Sequence, residues 1–207
     1  MWREQVLPRV TDVVLRGHEV GEVRGDACAG LNGRVLEIGF GSGLNVRWYP
    51  HAVTEVHAVE PSDVAWNLSA RRRSRTHIPI HRTGLEGEQL DAEDAAYDAV
   101  LVTFTLCSIP AVDRALAEVR RVLRPGGTLH FLEHGLAPDA GVARWQRRLD
   151  PVEKMLAGGC HLTRDPEDLV TSAGFGLGPV RHAYLSGPKA IRPWGYLSWA
   201  RAEVDVG

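Results

Sequence analysis

The fold is indicated most strongly by the stretch RVLEIGFGSGLNV, residues 34–46. Its first five residues are mostly apolar and are typical of a buried strand. Three glycines follow at alternate positions, and the chain beyond them predicts a helix over residues 44–49. A strand, a glycine turn and a helix in this order let the backbone approach a bound molecule closely, which predicts a cofactor site at the turn.

The spacing of the glycines separates two kinds of cofactor. A dinucleotide fingerprint has the pattern G-x-G-x-x-G, and its third glycine would fall at position 44, which is leucine. The glycines of this chain fall at Gly39, Gly41 and Gly43 instead. This spacing favours S-adenosylmethionine as the cofactor, and an NAD or nucleotide-sugar enzyme is the second interpretation.

Three acidic residues follow three successive predicted strands. Glu37 stands at the glycine turn, Glu60 ends the second strand, and Glu86 follows the third. A pyrophosphate disfavours nearby carboxylates, whereas S-adenosylmethionine has no phosphate and carries a sulfonium and an ammonium group. We expect Glu60 to accept hydrogen bonds from the ribose hydroxyls. We expect Glu86 to accept one from the adenine amino group.

Predicted strands and helices alternate along most of the chain. The strands are expected at residues 34–38, 55–59, 78–81, 98–105, 128–133, 180–185 and 195–201. The helices are expected near the N-terminus, ending near Gly17, and at 44–49, 62–73, 112–123, 142–156 and 166–173. This alternation predicts an α/β fold with a doubly wound, mostly parallel sheet. We expect one domain over 1–207, made of a helical lid or packing segment (1–32), a cofactor-binding core (33–133), and acceptor-side helices with closing strands (134–207).

Two motifs of the chain resemble those of class I S-adenosylmethionine-dependent methyltransferases. They are VLEIGFGSG at residues 35–43 and EVRRVLRPGG at residues 118–127. Further segments, FLEH at 131–134 and GCHLTR at 159–164 among them, are similar to the methyltransferase-like thiol S-methyltransferases and their bacterial relatives. The resemblance implies a Rossmann-like sheet of seven strands with an antiparallel last strand. It also implies S-adenosylmethionine as methyl donor and S-adenosylhomocysteine as product.

The motifs and the resemblance together define the expected cofactor residues. The resemblance implies that Thr103 and Leu106 border the methionine half of the cofactor. The full expected set is Glu37, Gly39, Gly41, Gly43, Asn45, Glu60, Pro61, Glu86, Gly87, Thr103 and Leu106. The acceptor is expected to be a small molecule, and the resemblance implies a thiol. Kinship fixes the donor better than the acceptor, so an oxygen or nitrogen acceptor and an inert cofactor-binding sensor or partner subunit stay open.

The acceptor side offers two candidate bases. Methyl transfer needs no protein nucleophile, because the enzyme mainly holds the acceptor and the activated methyl group in line. A thiol reacts as its thiolate, and a nearby base or cation would lower its ordinary pKa of about 8.5. His134, at the end of the fifth strand, is the first candidate and His161 the second. Cys107 and Cys160 have no ligand-spaced neighbour apart from His161, so we expect structural cysteines and no metal.

The composition argues against several other functions. With 24 basic and 26 acidic side chains the formal charge is −2, so no overall field attracts nucleic acid or an anionic membrane. The arginine run at 71–75 is expected to be a solvated helix end rather than an RNA site. Charges interrupt the N-terminal apolar stretches, so we expect no membrane anchor, although the animal thiol methyltransferases carry one. Three separated cysteines favour a cytoplasmic protein with reduced thiols, and we expect a monomer or a homodimer.

Overall fold

The computed structural model of the protein describes residues 1–205, which form one sheet flanked by helices. The strands are β1 (Gly33–Ile38), β2 (Val53–Val59), β3 (Ile80–Gly84), β4 (Tyr97–Thr103), β5 (Leu123–His134), β6 (Phe175–Leu177), β7 (Arg181–Tyr184) and β8 (Tyr196–Val204). The helices are α1 (Leu7–Leu15), α2 (His18–Cys28), α3 (Asp63–Leu68), α4 (Ala70–Arg73), α5 (Val112–Val122), α6 (Ala140–Leu156), α7 (Pro166–Ser172) and α8 (Arg192–Gly195). Shorter helical turns lie at Trp2–Val6, Val46–Trp48 and Lys189–Ile191.

The sheet has the strand order β3-β2-β1-β4-β5-β8-β6, and β7 also pairs with β8. The first five strands in this order run parallel, and β8 runs antiparallel to β5. The predicted α/β fold, with a mostly parallel sheet and an antiparallel last strand, is confirmed. Because the carboxyl ends of parallel strands meet at one edge, the segments that follow β1, β2, β3 and β4 lie side by side there.

The sheet has eight strands where seven were expected, and the additional strand lies at the closing edge. β6 and β7 pair with the same side of β8, opposite residues 202–204 and 196–199. Between them the Gly178 amide donates to the Arg201 carbonyl at 2.8 Å, and Pro179 has no amide hydrogen to continue the ladder. The two strands are thus segments of one interrupted edge strand. The sequence prediction at 180–185 covers the second segment; the first is too short for an alternating pattern to show.

The strands bury apolar side chains on both faces of the sheet. Leu36, Val100 and Phe131 belong to a cluster on one face, whereas Val35 and Leu101 belong to a cluster on the other. Successive residues of a strand point to opposite faces, so a strand covered on both sides reads as a continuous apolar run. This explains why the predicted strand positions of β1 and β4 agree closely with the structure.

Two helical predictions differ from the structure. Residues 18–28 form α2, where the sequence predicted no helix. The ring of Trp48 lies against this helix, and a Cβ at Gly25 would come within 2.9 Å of it, so glycine is required by the contact. The helix expected at 44–49 is only the short turn Val46–Trp48. The N-terminal helix ends at Leu15, close to the predicted end.

Candidate functional site

The glycine turn after β1 forms the floor of the candidate site. Gly39 and Gly41 have φ angles of +75° and +58°, which side chains other than glycine rarely adopt. A Cβ at Gly39 would come within 2.8 Å of the Thr105 Cβ, so the close approach of the turn to the chain after β4 requires glycine. A Cβ at Gly41 would meet only its own turn, at 3.8 Å. The backbone at Gly41 is therefore open to a ligand.

Glu60, which directly follows β2, fixes the other side of the turn. Its carboxylate accepts from the Gly41 amide at 2.6 Å and from the Ser62 amide at 2.7 Å. Burial raises the pKa of Glu60, and these two amide hydrogen bonds act against that shift. A carboxylate offers about four acceptor sites, so each oxygen can accept a further hydrogen bond from a ligand. The residue therefore joins two strand ends and keeps acceptor capacity on the cavity side.

A cavity of about 560 Å³ lies over this edge of the sheet. Its size lies within the ~300–1,000 Å³ typical of small-molecule sites. The expected cofactor residues that line it are Gly39, Gly41, Glu60, Pro61, Glu86, Gly87 and Thr103. Helix α1 forms the opposite wall and contributes Leu7, Pro8, Thr11, Asp12 and Leu15. The cavity thus lies between the strand ends and the N-terminal helix.

A buried polar network lies behind the glycine turn. Glu37 is 0% exposed, and its carboxylate accepts from Asn45 Nδ2 at 2.9 Å and from the Tyr49 hydroxyl. Arg24 donates to Asn45 Oδ1 at 2.7 Å and to Thr103 Oγ1 at 3.0 Å. Burial raises the pKa of Glu37 to about 7, despite the hydrogen bonds from Tyr49 and Asn45 and the charge of Arg24. The network fixes the back of the turn to α2 and β4.

Arg24 belongs to both the network and the cavity wall. Burial lowers its pKa to about 10, so the guanidinium stays charged at neutral pH. It lines the cavity, and its Nε atom is buried with no hydrogen-bond partner among residues 1–205. A buried cationic donor without a partner is costly, because it loses its hydration. The positive charge of Arg24 at the cavity suits an anionic ligand group.

Helix α1 is held over the cavity by polar contacts with the strand edge. Asp12 accepts from the Ser42 hydroxyl at 2.6 Å and forms an ion pair with Arg72 at 2.8 Å. The side chain of Asp12 is 13% exposed, so the ion pair is partly shielded from solvent. Together the two contacts fix α1 to the glycine turn and to α4.

The chain after β4 is held by Glu133, near the end of β5. The carboxylate accepts from the amides of Thr105 at 2.7 Å and Leu106 at 2.9 Å. Burial raises the pKa of Glu133 to about 7, against the effect of these two hydrogen bonds. Thr105 and Ser108 line the cavity, so Glu133 acts on the cavity wall from behind.

The two predicted bases lie beside a pair of cysteines. His134 Nε2 is 3.0 Å from Cys160 Sγ, which in turn is 3.6 Å from Cys107 Sγ. The hydrogen bond that Cys160 shares with Cys107, together with that from His134, lowers the pKa of Cys160 to about 6. The same contact with Cys160, together with burial, raises the pKa of Cys107. His161 joins this region through its backbone, whose amide donates to the Cys107 carbonyl at 2.9 Å.

Comparisons with known proteins identify the kind of domain. A family model described as a methyltransferase domain matches residues 36–131. The chain carries a methyltransferase domain. Its fold is similar to that of a SAM-dependent methyltransferase from Thermotoga maritima, with a TM-score of 0.67, 21% identity and coverage of 95% of this chain and 94% of that one.

Curated relatives of the methyltransferase domain include two thiol S-methyltransferases. The one from Rattus norvegicus is 36% identical over 145 residues, which cover 68% of this chain and 59% of the relative. The one from Homo sapiens is 34% identical over 161 residues, which cover 74% and 65%. The aligned part therefore spans less than two thirds of each relative. Among residues 1–205, no helix is both long and apolar enough to cross a membrane.

Four of the expected cofactor residues do not line the cavity of about 560 Å³ over the strand ends. Gly43 lines a neighbouring cavity of about 410 Å³. Glu37 and Asn45 lie in the network behind the turn, and Leu106 is buried, with its amide bound to Glu133. Sequence reasoning missed Arg24, Tyr49 and Glu133 as site residues. Each lies in a different segment, and no short motif contains two of them.

Proposed function

We propose that the methyltransferase domain transfers a methyl group from S-adenosylmethionine to a small thiol. The observation that carries the donor assignment is the Glu60 carboxylate. It lines the cavity beside the open Gly41 backbone and is fixed by two amides at 2.6 and 2.7 Å. A rigid acceptor at this position suits a ribose diol, because both oxygens keep free acceptor capacity.

Further residues of the cavity fit the rest of the donor. Arg24 lines the cavity and stays charged, so its guanidinium suits the carboxylate of the methionine part. Glu86 stands exposed at the rim and suits the adenine amino group. Thr103 borders the same cavity and receives a hydrogen bond from Arg24. Glu37 and Asn45 have a positioning role behind the turn.

The chain contributes mainly position and shielding to the reaction. S-adenosylmethionine, when bound, supplies a methyl carbon that its sulfonium activates. Glu60 and Arg24 hold the two ends of the donor in a fixed orientation, which lowers the entropic cost of reaching an in-line arrangement. Leu7 and Leu15 of α1 cover the cavity with apolar surface and exclude water. No side chain of the protein has to form a covalent bond.

The thiol acceptor is supported by the named activity of the two curated relatives. The cavity wall near Ile109 and Pro110 is apolar and suits a small uncharged thiol. His134 and His161 stay predictions as bases, since they lie behind the wall, next to Cys160 and Cys107. The cytoplasmic location, the monomeric or homodimeric state and the three-part division of the chain also stay predictions from the sequence.

The donor assignment is tested by calorimetry. Wild-type protein should bind S-adenosylmethionine and S-adenosylhomocysteine, and Glu60→Ala should weaken both by about 10- to 100-fold, the loss of one or two charge-assisted hydrogen bonds. Glu55→Ala is the matched control, because it removes a carboxylate from the other end of β2, where it pairs with Arg34. Its affinity should stay at the wild-type level. Absence of binding by the wild type would refute the donor, and equal losses in both variants would refute the role of Glu60.

The acceptor assignment is tested by release of S-adenosylhomocysteine. Small thiols, amines, phenols and carboxylates are compared at matched concentration, and we expect turnover with thiols only. Turnover with another class would replace the thiol while leaving the methyl transfer intact. Binding of the donor without any turnover would instead favour an inert sensor or partner subunit. Turnover by His134→Gln at the wild-type rate would exclude His134 as the base.

A further inference from the structure

Three metal-ligating side chains from distant segments meet beside the cavity. Cys107 lies between β4 and α5, His134 ends β5, and Cys160 lies between α6 and α7. Their donor atoms all lie within 4.8 Å of one another, with His134 Nε2 at 3.0 Å and Cys107 Sγ at 3.6 Å from Cys160 Sγ. We call these three residues the Cys–His cluster. The donor–acceptor cavity described above does not require it.

The chemistry of the donor set favours a thiophilic cation. Two thiolates and one imidazole are preferred ligands of Zn²⁺, and tetrahedral bonds of about 2.3 Å to sulfur place two sulfur atoms roughly 3.8 Å apart. The observed separation of 3.6 Å is close to that value and well above the ~2.05 Å of a disulfide. A divalent cation would also balance the charge of two buried thiolates.

The Cys–His cluster is enclosed and fixed by the segments around it. Cys107 and Cys160 are both buried, so the two thiols face each other within the protein. The segments that bear the cysteines are fixed to each other, because the His161 amide donates to the Cys107 carbonyl at 2.9 Å. The ligands therefore need little rearrangement to bind.

We propose that Cys107, His134 and Cys160 bind one Zn²⁺ ion, with a fourth position left to a water molecule or another small ligand. The sequence expectation of structural cysteines and no metal would then be wrong. Ser108 and Gly158, which line the cavity, lie one and two residues from the two cysteines. A bound ion would thus join three segments and stiffen this wall of the cavity. The site goes beyond the proposed methyl transfer and does not depend on it.

The proposal is tested by titrating metal-free protein with Zn²⁺ against a chromophoric chelator, with all thiols kept reduced by a phosphine. Wild type should bind one equivalent. Cys107→Ala and Cys160→Ala should weaken binding by about 100-fold or more, since loss of an outer-shell partner alone costs about 10- to 100-fold. Cys28→Ala is the matched control, because Cys28 is also a buried free cysteine but lies outside the cluster. It should bind like the wild type.

Two further readouts separate a specific site from adventitious binding. Co²⁺ in place of Zn²⁺ should give sulfur-to-metal charge-transfer absorption in wild type and Cys28→Ala, and weaker absorption in each cluster variant. Zn²⁺ should raise the thermal midpoint of the same two proteins by mass action. If a cysteine variant does not fold, His134→Gln removes one ligand without emptying the core. Absence of binding by reduced wild type overturns the proposal, as does binding that survives both cysteine substitutions.

Discussion

Glu37 and Glu60 are carboxylates at the ends of neighbouring strands, yet they serve opposite sides of the cavity wall. Glu60 accepts from two backbone amides and lines the cavity. Glu37 is fully buried and accepts from the side chains of Asn45 and Tyr49 behind the turn. The first keeps acceptor capacity for a ligand, whereas the second uses it within the protein. The role of a carboxylate here is set by the donors that surround it, not by its distance from the glycine turn.

The difference has a simple geometric cause. Glu37 lies inside β1, where successive side chains alternate between the two faces of the sheet. Glu60 lies one residue beyond β2, where Pro61 ends the ladder and the chain turns toward the cavity. Glu60 can therefore face the cavity from chain that has left its strand, whereas Glu37 is held behind the turn from within β1.

The largest effect should come from Gly39→Ala, which breaks the front of the wall. The new methyl group would enter a left-handed backbone conformation and overlap the Thr105 side chain. The conformation costs about 1–2 kcal/mol and the overlap about 1–3 kcal/mol, so the free energy of unfolding should fall by roughly 2–5 kcal/mol. Binding of S-adenosylhomocysteine should be lost with it. Chemical denaturation and calorimetry measure both.

Gly126→Ala is the matched control for this substitution. Gly126 has a φ of +78°, close to that of Gly39, but a Cβ there would meet nothing within 4 Å. It should lose only the conformational part, about 1–2 kcal/mol, and keep its affinity. Equal losses in the two variants would mean that the contact with Thr105 does not explain the glycine.

The next effect concerns the back of the wall and depends on pH. Burial raises the pKa of Glu37 to about 7 in the folded protein, above the value of about 4.5 for a free carboxyl. The folded state therefore binds the proton of the Glu37 carboxyl more tightly than the unfolded state does. The stability that this proton contributes is lost as the pH rises from about 4.5 through 7. A shift of this size corresponds to about 3 kcal/mol. Glu37→Gln, which stays neutral, should lack that loss.

The experiment compares the free energies of unfolding of the wild type and Glu37→Gln between pH 4.5 and 8. As the pH rises, the free energy of unfolding of the wild type should fall by about 3 kcal/mol relative to that of Glu37→Gln. Glu55→Gln is the control and removes a carboxylate near the start of β2 that is 35% exposed. The free energies of unfolding of the wild type and this variant should change relative to each other by less than about 1 kcal/mol over the same pH range. A constant difference between wild type and Glu37→Gln would show that Glu37 is ionised throughout.

The same contrast explains what could be predicted from the sequence. The strand, turn and acidic positions of the front lie in short contiguous motifs, so β1, the glycine turn and Glu60 could be read directly. Helix α2 could not, because Gly25 is required by contact with Trp48, a residue far from it in the chain. Because Arg24 lies in α2, its position beside the cavity could not be predicted either.

The Cys–His cluster shows the same limit more strongly. His134 is 26 residues and Cys107 is 53 residues from Cys160 along the chain, so no spacing rule for metal ligands applies to the cluster. Only the pairing of β5 with β4 and β8, together with the contact between His161 and Cys107, brings them together. Local patterns therefore predict elements and strand ends, whereas sites assembled from several segments require the tertiary structure.

A smaller effect should come from Arg24, which belongs to both sides of the wall. If its guanidinium binds the donor carboxylate, Arg24→Gln should weaken S-adenosylhomocysteine binding by about 10- to 100-fold, equivalent to roughly 1.5–3 kcal/mol. Binding of 5′-methylthioadenosine, which lacks the amino-acid part, should change little. Arg47→Gln, at an exposed arginine that lies over the Trp48 ring, is the control variant. Equal losses for both ligands would point to a general disturbance of the network rather than to a carboxylate contact.

The smallest effect should come from the contact that holds α1 over the front of the wall. Asp12→Asn removes the charge that pairs with Arg72 and weakens the hydrogen bond from Ser42. A partly shielded ion pair contributes about 0.5–1 kcal/mol, so S-adenosylhomocysteine should dissociate about two to five times faster. Asp26→Asn is the control, since Asp26 forms an exposed ion pair with Arg181 away from the cavity. Stopped-flow dissociation rates distinguish the cases: an unchanged rate in Asp12→Asn would mean that α1 packs against the site without closing it.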